Sequence, residues 1–430
     1  MKGTWGLVFV FFLLGCSQSY KLCEAPSCET HVLSNGLTVV LKEDHKAPVA
    51  TAELWVRTGT INEDNATNGL SHYLEHVLFK PWKDGRRFDD VVESSGGRLN
   101  GGTYYDFTYY YGTVPSENLV AILQGLAYLM FEPIFDPKAM DLEREVVVQE
   151  INRTEDLPER ILDDVFQETL FKVHPYHQRV LGPMENILNS PQDIVKRYYH
   201  DFYVPNNMVL VVVGDVDKTE VLKKAGEIYG KYPSRFLPEV NKSSEPERSA
   251  AEKRVLIKDV EQTYWMTGFR GPASSDPDYY VLEVIKGALS NGLSSRLNQH
   301  IKEEKKLVNS IGVSFDNRKE ASVFAITASF KPEKEQEVEA AIADEFQQLK
   351  EQPVSSAELA KVKRLLRKNH IFGLETSESQ ADNLGYSMIV SDLSLVNNYL
   401  EKISAVSSED IQRVARKYFT FPTTVVVRSK

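Results

Sequence analysis

Ser190-Pro-Gln-Asp-Ile194, followed by Phe202, Pro205 and the apolar run Met208 to Val213, reappears later in the chain. There it reads Ser407-Ser-Glu-Asp-Ile411, then Phe419, Pro422 and Val425-Val426-Val427. Ser190 to Ser407, Asp193 to Asp410, Phe202 to Phe419 and Pro205 to Pro422 are each 217 residues apart, without a gap. In each copy the Ser is suited to cap a helix, and the Pro then breaks the chain ahead of a β-branched strand. Leu37–Leu41 and Val255–Ile257 are strand-like runs at roughly matching phase, so the agreement extends to the start of each copy. A period this long predicts two similar domains and excludes a solenoid.

Working outward, each half mixes strand-like stretches (Val49–Val56, Phe107–Val114, Met208–Val213) with long helical ones (Asn118–Phe131, Met140–Arg153, Asp156–Phe171). The expected class is therefore α+β, with two homologous αβ layer domains related by the 217-residue repeat. Residues 233–253, with Pro233, Pro238 and Pro246 among Ser, Glu and Lys, read as an extended, solvated linker. This predicts one αβ domain over residues 30–232 and a second over 254–430.

The composition is that of a globular chain: 430 residues, 42% hydrophobic and 26% charged. Disorder, collagen and coiled coil are excluded on those figures. The 50 basic and 61 acidic side chains leave a net charge of -11, with no basic footprint for a nucleic acid. Cys16, Cys23 and Cys28 are the only cysteines, too few for a disulfide framework.

The N-terminus reads as an export signal. Trp5–Leu14 is a nearly unbroken apolar run of signal-peptide length, too short to span a bilayer. It ends at Leu13-Leu14-Gly15-Cys16, which resembles the bacterial lipobox. On that reading residues 1–15 are removed, Cys16 carries a lipid, and 16–29 form a tether; an ordinary cleaved signal is the alternative. The expected location is periplasmic, with membrane contact only through the lipid at Cys16. Cys23 and Cys28 are placed to pair around a small loop in an oxidising compartment.

In Leu70-Ser-His-Tyr-Leu-Glu-His-Val-Leu-Phe79, apolar residues at 70, 73, 74, 77 and 78 form the stripe of an amphipathic helix. His72 and His76, four apart, lie one above the other and are spaced to share a zinc ion, with Glu75 beside them. The pattern is H-x-x-E-H. A catalytic zinc needs a third protein ligand and an open position. The acidic helix Asp141–Glu150 offers one, with Glu143 and Glu150 two turns apart on one face.

His72-x-x-Glu75-His76 with Glu150 downstream resembles the pitrilysin / mitochondrial processing peptidase family of zinc metallopeptidases, in its half-length bacterial form. Leu33-Ser-Asn-Gly-Leu-Thr-Val-Val40 looks like that family's opening strand. Gly96-Gly97-Arg-Leu-Asn100 through Asp106-Phe-Thr108 is similar to its Gly-Gly-x-x-Asn-Ala-x-Thr segment. Glu143–Ile151, His174-Pro175-Tyr176 and Pro205-Asn206 match in order. The resemblance runs from about residue 30 to the end of the chain.

The resemblance implies one Zn2+ per chain, held by His72, His76 and Glu150. It makes Glu75 the general base that activates the zinc-bound water and Glu143 the carboxylate that supports the catalytic centre. It also implies that an extended peptide adds as a strand beside Asn100, Gly101, Gly102 and Thr103, within an edge strand over Gly96–Tyr111. The competing reading of that stretch is an interior strand with aromatic alternation. Gly101 stands where the family usually has Ala, Tyr104 where a small residue is common, and Pro81 where a Gly commonly follows the helix.

The same resemblance implies an endopeptidase acting on peptides or unfolded segments inside a clamshell. The alternative is a non-catalytic structural or interaction subunit. The repeat carries His72 and His76 onto Leu289 and Leu293, so the second half reads as a wall or lid. A clamshell of four such domains needs a second subunit. Lys302 and Asn309 stand where the family carries a substrate-clamping Arg and Tyr, and neither replaces them. That favours a heterodimer with a paralogue retaining the pair over a homodimer.

Overall fold

The computed structural model describes residues 28–82, 84–239 and 245–430. The leader, Cys16 and Cys23 lie outside the described residues; Cys28 lies inside them and carries a free thiol.

The first sheet is built from β1 (Glu29–Val32), β2 (Thr38–Glu43), β3 (Val49–Val56), β4 (Arg98–Thr103), β5 (Thr108–Pro115) and β6 (Met208–Gly214). Its spatial order is β1-β2-β6-β3-β5-β4. The second contains β7 (Glu252–Ile257), β8 (Thr263–Arg270), β9 (Ser310–Asp316), β10 (Val323–Phe330) and β11 (Thr423–Arg428), in the order β7-β11-β8-β10-β9. Without β1 the two orders are the same, and in each the last strand pairs parallel to the first (Thr38 opposite Val209; Glu252 opposite Thr423). The duplication read at a spacing of 217 residues is thus a duplication of topology. β1 is an addition to the first copy, and Leu33–Gly36 forms the turn before β2, so the opening strand starts later than Leu33.

The helices that matter for the site are α1 (Leu70–Leu78), α2 (Leu119–Phe131), α3 (Pro137–Glu155), α4 (Pro158–Leu170) and α5 (Gln192–Phe202) in the first half. Those in the second are α6 (Asp278–Ser290), α7 (Ser377–Val390) and α8 (Ser408–Tyr418). β6 is Val- and Leu-rich and wholly buried because both its faces are covered. Met208, Leu210 and Val212 enter one core with α1 and α2, whereas Val209, Val211 and Val213 enter another with Ala381 and Leu384 of α7.

That second core crosses between the halves. α7 belongs to the second half yet covers β3 and β6 of the first sheet. Reciprocally, Leu162, Val165, Phe166 and Leu170 of α4 pack on Met266 of β8 and Val425 and Val427 of β11. Dividing the chain at residues 233–253 therefore separates the sheets but not the helices. The linker itself is pinned part-way along: the Glu245 carboxylate accepts from the backbone N–H groups of Lys172, Val173 and His174 at 2.7, 2.9 and 2.9 Å, where α4 has ended.

One expectation from the repeat is corrected. Ser407 caps α8, its hydroxyl accepting from Asp410 N at 3.1 Å. Ser190 does not cap α5; its hydroxyl donates back to Asn186 O at 2.6 Å and closes the preceding turn, and the helix starts after Pro191.

Candidate metal centre

α1 starts at Gly69, whose φ of 98° suits glycine and whose Cα hydrogen side lies against Leu181 O. From six residues before Gly69, Glu63 supplies the cap: its carboxylate accepts from Gly69 N at 2.9 Å and Ser71 N at 2.7 Å, beside the helix's positive end. Leu70, Tyr73, Leu74, Val77 and Leu78 then enter the first core, which turns His72, Glu75 and His76 toward α3 and β4. α3 begins at Pro137 with Asp136 as its cap, 2.8 Å from Ala139 N. The Tyr73 hydroxyl donates to Met140 O at 2.6 Å and ties the two helices together.

Across that junction Glu150 Oε2 lies 3.6 Å from His72 Nε2 and 3.5 Å from His76 Nε2. All three potential ligand atoms fall within 4.8 Å of one another, and among the described residues this is the one such group. Two ligands about 2.0–2.1 Å from a tetrahedral zinc stand roughly 3.3–3.4 Å apart, which the two His–Glu150 separations approach, with the two imidazoles within 4.8 Å of each other. His72 Nδ1 is buried with no protein partner among the described residues. His76 Nδ1 meets Glu143 Oε1 at 3.0 Å, which aims Nε2 at Glu150, and the other Glu143 oxygen pairs with Lys80.

The electrostatics suit ligation. Burial, with His76 alongside, pushes His72 down to about 4, so its imidazole is neutral near pH 7. Burial works against the charged form of His76 as well, but hydrogen bonds to Glu143 and Glu150 lift it to about 9. A metal bound at Nε2 therefore displaces a proton. The hydrogen bond from His76 holds the Glu150 carboxyl below its usual range. Glu75 lies outside this donor group; it is 9% exposed, and Thr103 Oγ1 donates to it at 2.6 Å. Burial raises its pKa against that hydrogen bond, in the direction a general base requires.

Of the stretch Gly96–Tyr111, only β4 is an edge strand; β5 lies inside the sheet between β3 and β4. Asn100, Gly101, Gly102 and Thr103 all sit on β4 and line one cavity of about 810 Å³ with His72, Glu75, His76, Glu143 and Glu150. A Cβ on Gly101 would stand 3.0 Å from the Phe79 ring, and one on Gly102 2.7 Å from the Tyr109 ring. Neighbouring aromatics thus account for both glycines.

A model described as "Insulinase (Peptidase family M16)" matches residues 38–184, which contain every residue of this centre. A second, "Peptidase M16 inactive domain", matches residues 191–366. The chain belongs to peptidase family M16. It is 29% identical to the zinc protease PqqE of Helicobacter pylori over 100% of this chain and 99% of that protein. It is 26% identical to an uncharacterized zinc protease, YmxG, of Bacillus subtilis, over 91% and 95% of the two chains. The crystal structure of a protease from Helicobacter pylori superposes with a TM-score of 0.90 at 28% identity, covering 94% of this chain and 100% of that one.

The M16 second half holds no ligands: Leu289 is fully buried in its core and Leu293 is 87% exposed. It does reach the cavity, through Met266, Ser314, Asp316, Arg318 and Val323. Arg318 stacks with its guanidinium 3.6 Å from the Tyr105 ring centre and pairs with Asp316 at 2.6 Å. The repeat held the signal for this contact, since the β9–β10 turn is the counterpart of the β4–β5 turn. Glu63 and Lys80, which cap α1 and hold Glu143, are the supporting residues that sequence reading missed. Lys302, on the helix Leu297–Glu304, and Asn309, which donates to Gln262 at 2.8 Å, do not line the cavity.

Proposed function

We propose that the protein is a zinc-dependent endopeptidase acting on peptides or unfolded segments bound in extended form along β4. The observation that carries this reading is a buried carboxylate, Glu75, that stands outside the His72–His76–Glu150 donor set yet faces the same cavity as that set and the free strand edge. Relatives named zinc proteases support it.

His72, His76 and Glu150 would hold the ion, leaving a position open, and Glu143 keeps His76 in the orientation that presents Nε2. Zinc there would supply Lewis-acid polarisation of a carbonyl and a more acidic water. The unpaired edge of β4 offers its backbone N–H and C=O groups to an extended chain, which positions a peptide bond beside Glu75. Glu75 takes a proton from the attacking water and returns it to the leaving amine, with Thr103 Oγ1 fixing its carboxylate.

The test is Glu75→Gln. The ligands are untouched, so zinc should remain stoichiometric while turnover falls on the order of 100- to 10,000-fold. Retained activity would mean that another residue is the base. A non-catalytic subunit is the second reading, favoured by the match of residues 191–366 to the family's inactive-domain model. Wild-type protein purified without zinc would decide for it.

Family M16 members often work as paired subunits. A second subunit completing the chamber is proposed here, a heterodimer with a paralogue that carries the Arg and Tyr being favoured over a homodimer. The isolated chain should bind zinc yet cleave peptides poorly until the partner is added; full activity as a homodimer would refute this.

A further inference from the structure

A second cavity, of about 360 Å³, abuts the metal-site cavity and shares Tyr104, Tyr105, Asp316 and Arg318 with it. Its walls are aromatic: Trp55, Phe107 and Tyr109 from the first sheet and its β4–β5 turn, and Tyr386 from α7. Trp55 stacks on Tyr109 with ring centres 4.6 Å apart, Phe107 tilts against Trp55 at 4.8 Å, and Tyr386 meets Phe107 edge-on at 6.1 Å. The cavity thus presents ring faces and edges from several directions.

Among its polar groups Asp316 is paired with Arg318, and Asp106 accepts from the Tyr176 hydroxyl and Lys319 N, which leaves one acid facing the cavity without a cation. Asp382 lines the cavity and faces the buried Glu53, and neither forms an ion pair with a Lys, Arg or His among the described residues. Glu53 accepts from Trp55 Nε1 at 2.8 Å and hydrogen-bonds with the Asp382 carboxyl. Asn317, 7% exposed and lining the same space, has both side-chain amide atoms without a partner among those residues. The cation at the rim, Arg318, is already engaged by Asp316 and by the Tyr105 ring. The two facing carboxyls share a proton, which burial holds more strongly on Glu53, so aromatic faces around the remaining Asp382 carboxylate favour a cation, with Asn317 Oδ1 as a further acceptor.

The geometry points to a binding pocket for a cationic side chain, lysine or arginine, of a peptide whose backbone lies in the neighbouring metal-site cavity. A peptide paired with β4 passes Thr103 and then Tyr104, the exposed residue common to both cavities, so the side chain entering the second cavity is a few residues from the bond beside Glu75. Only the source of the side chain rests on the peptidase reading; the pocket does not.

Two measurements keep those claims apart. The first titrates the full-length protein with N-acetyl-arginine amide and with its uncharged isostere N-acetyl-citrulline amide, reading tryptophan fluorescence. The arginine compound should bind roughly tenfold or more tightly. Trp55→Phe should remove the signal, and Asp382→Asn should remove the preference. Equal binding of the two compounds, or a preference unchanged by Asp382→Asn, overturns the pocket. Tyr386→Leu, which removes a wall and leaves the charge, is the second variant and should also weaken the arginine compound selectively. The second measurement moves a single arginine along an otherwise uncharged peptide and follows cleavage. One position should be cut faster by wild-type protein, and Asp382→Asn should abolish that advantage. Cleavage with no such position overturns the link to substrate, whereas a protein that cleaves nothing but still prefers the arginine amide overturns the peptidase reading alone.

Discussion

Glu143 stands between His76 and Lys80, one carboxylate oxygen on each. Sequence spacing marked it and Glu150 equally, because residues seven apart share a helix face. Packing separates them: Glu143 is 7% exposed and meets Nδ1, while Glu150 is more open and meets both Nε2 atoms. The Lys80 ammonium completes the arrangement by balancing the charge Glu143 brings into a buried position. Glu143→Gln keeps the shape but weakens the hold on the imidazole, so zinc affinity should fall about 10- to 100-fold, measured by competition with a chelator. An unchanged affinity would reduce Glu143 to a packing residue. His72, Glu75 and His76 were legible from sequence because an i, i+4 pair on an amphipathic helix constrains its own geometry. Glu63 was not, since a cap contributed from a preceding turn leaves no periodic trace.

Among elements, α6 and α8 share the second-half core and are also joined through one buried carboxylate. Asp278, in the first turn of α6, meets Lys417 Nζ and Arg413 Nη1 at 2.8 Å each, with the Tyr418 hydroxyl at 3.1 Å. Burial alone would raise its pKa, but the hydrogen bonds and charges of Lys417 and Arg413 hold it below the ordinary value. A depressed carboxyl contributes stability above its unfolded pKa, about 3.9, and loses it as pH falls through the lower folded value. Asp278→Asn should therefore cost about 1–3 kcal/mol at pH 7, and the difference from wild type should vanish progressively below about pH 4. Denaturant melts at pH 3, 4 and 7 check this; a gap that stays constant would assign the effect to something other than charge. Most elements of the first half were readable, because β6 is an unbroken apolar run and α1 a clean stripe. The role of Ser190 was not: its hydroxyl chooses between two neighbouring backbones, and Pro191 already presets the start of α5.

Across the whole molecule, the crossing of α4 and α7 makes the halves dependent on each other. Without α7, Trp55 and Val209, Val211 and Val213 would face water. The packing there is close: a Cβ on Gly385 would stand 2.1 Å from Trp55 Nε1. Residues 1–239 expressed alone should therefore fail to fold cooperatively, and the two halves expressed together should recover a soluble complex. An independently folded first half, seen as a sharp thermal transition, would overturn this. The metal-site cavity has the same dependence, since Asp316 and Arg318 of the second half form part of its wall.

What the sequence determined by itself was local or periodic. A repeat of 217 residues specified two like topologies, and three residues on one helix face with a carboxylate helix downstream pointed to the candidate donor set. Such features depend on spacing along one chain segment, and spacing is preserved whatever the rest of the molecule does. Tertiary structure alone decided that β4 and not β5 is the free edge, that each half lends a helix to the other, and that an acidic aromatic cavity lies behind Tyr104. Each of these depends on which distant surfaces are buried together. That choice follows from the complementary apolar faces of segments up to several hundred residues apart, and no window of sequence contains both partners.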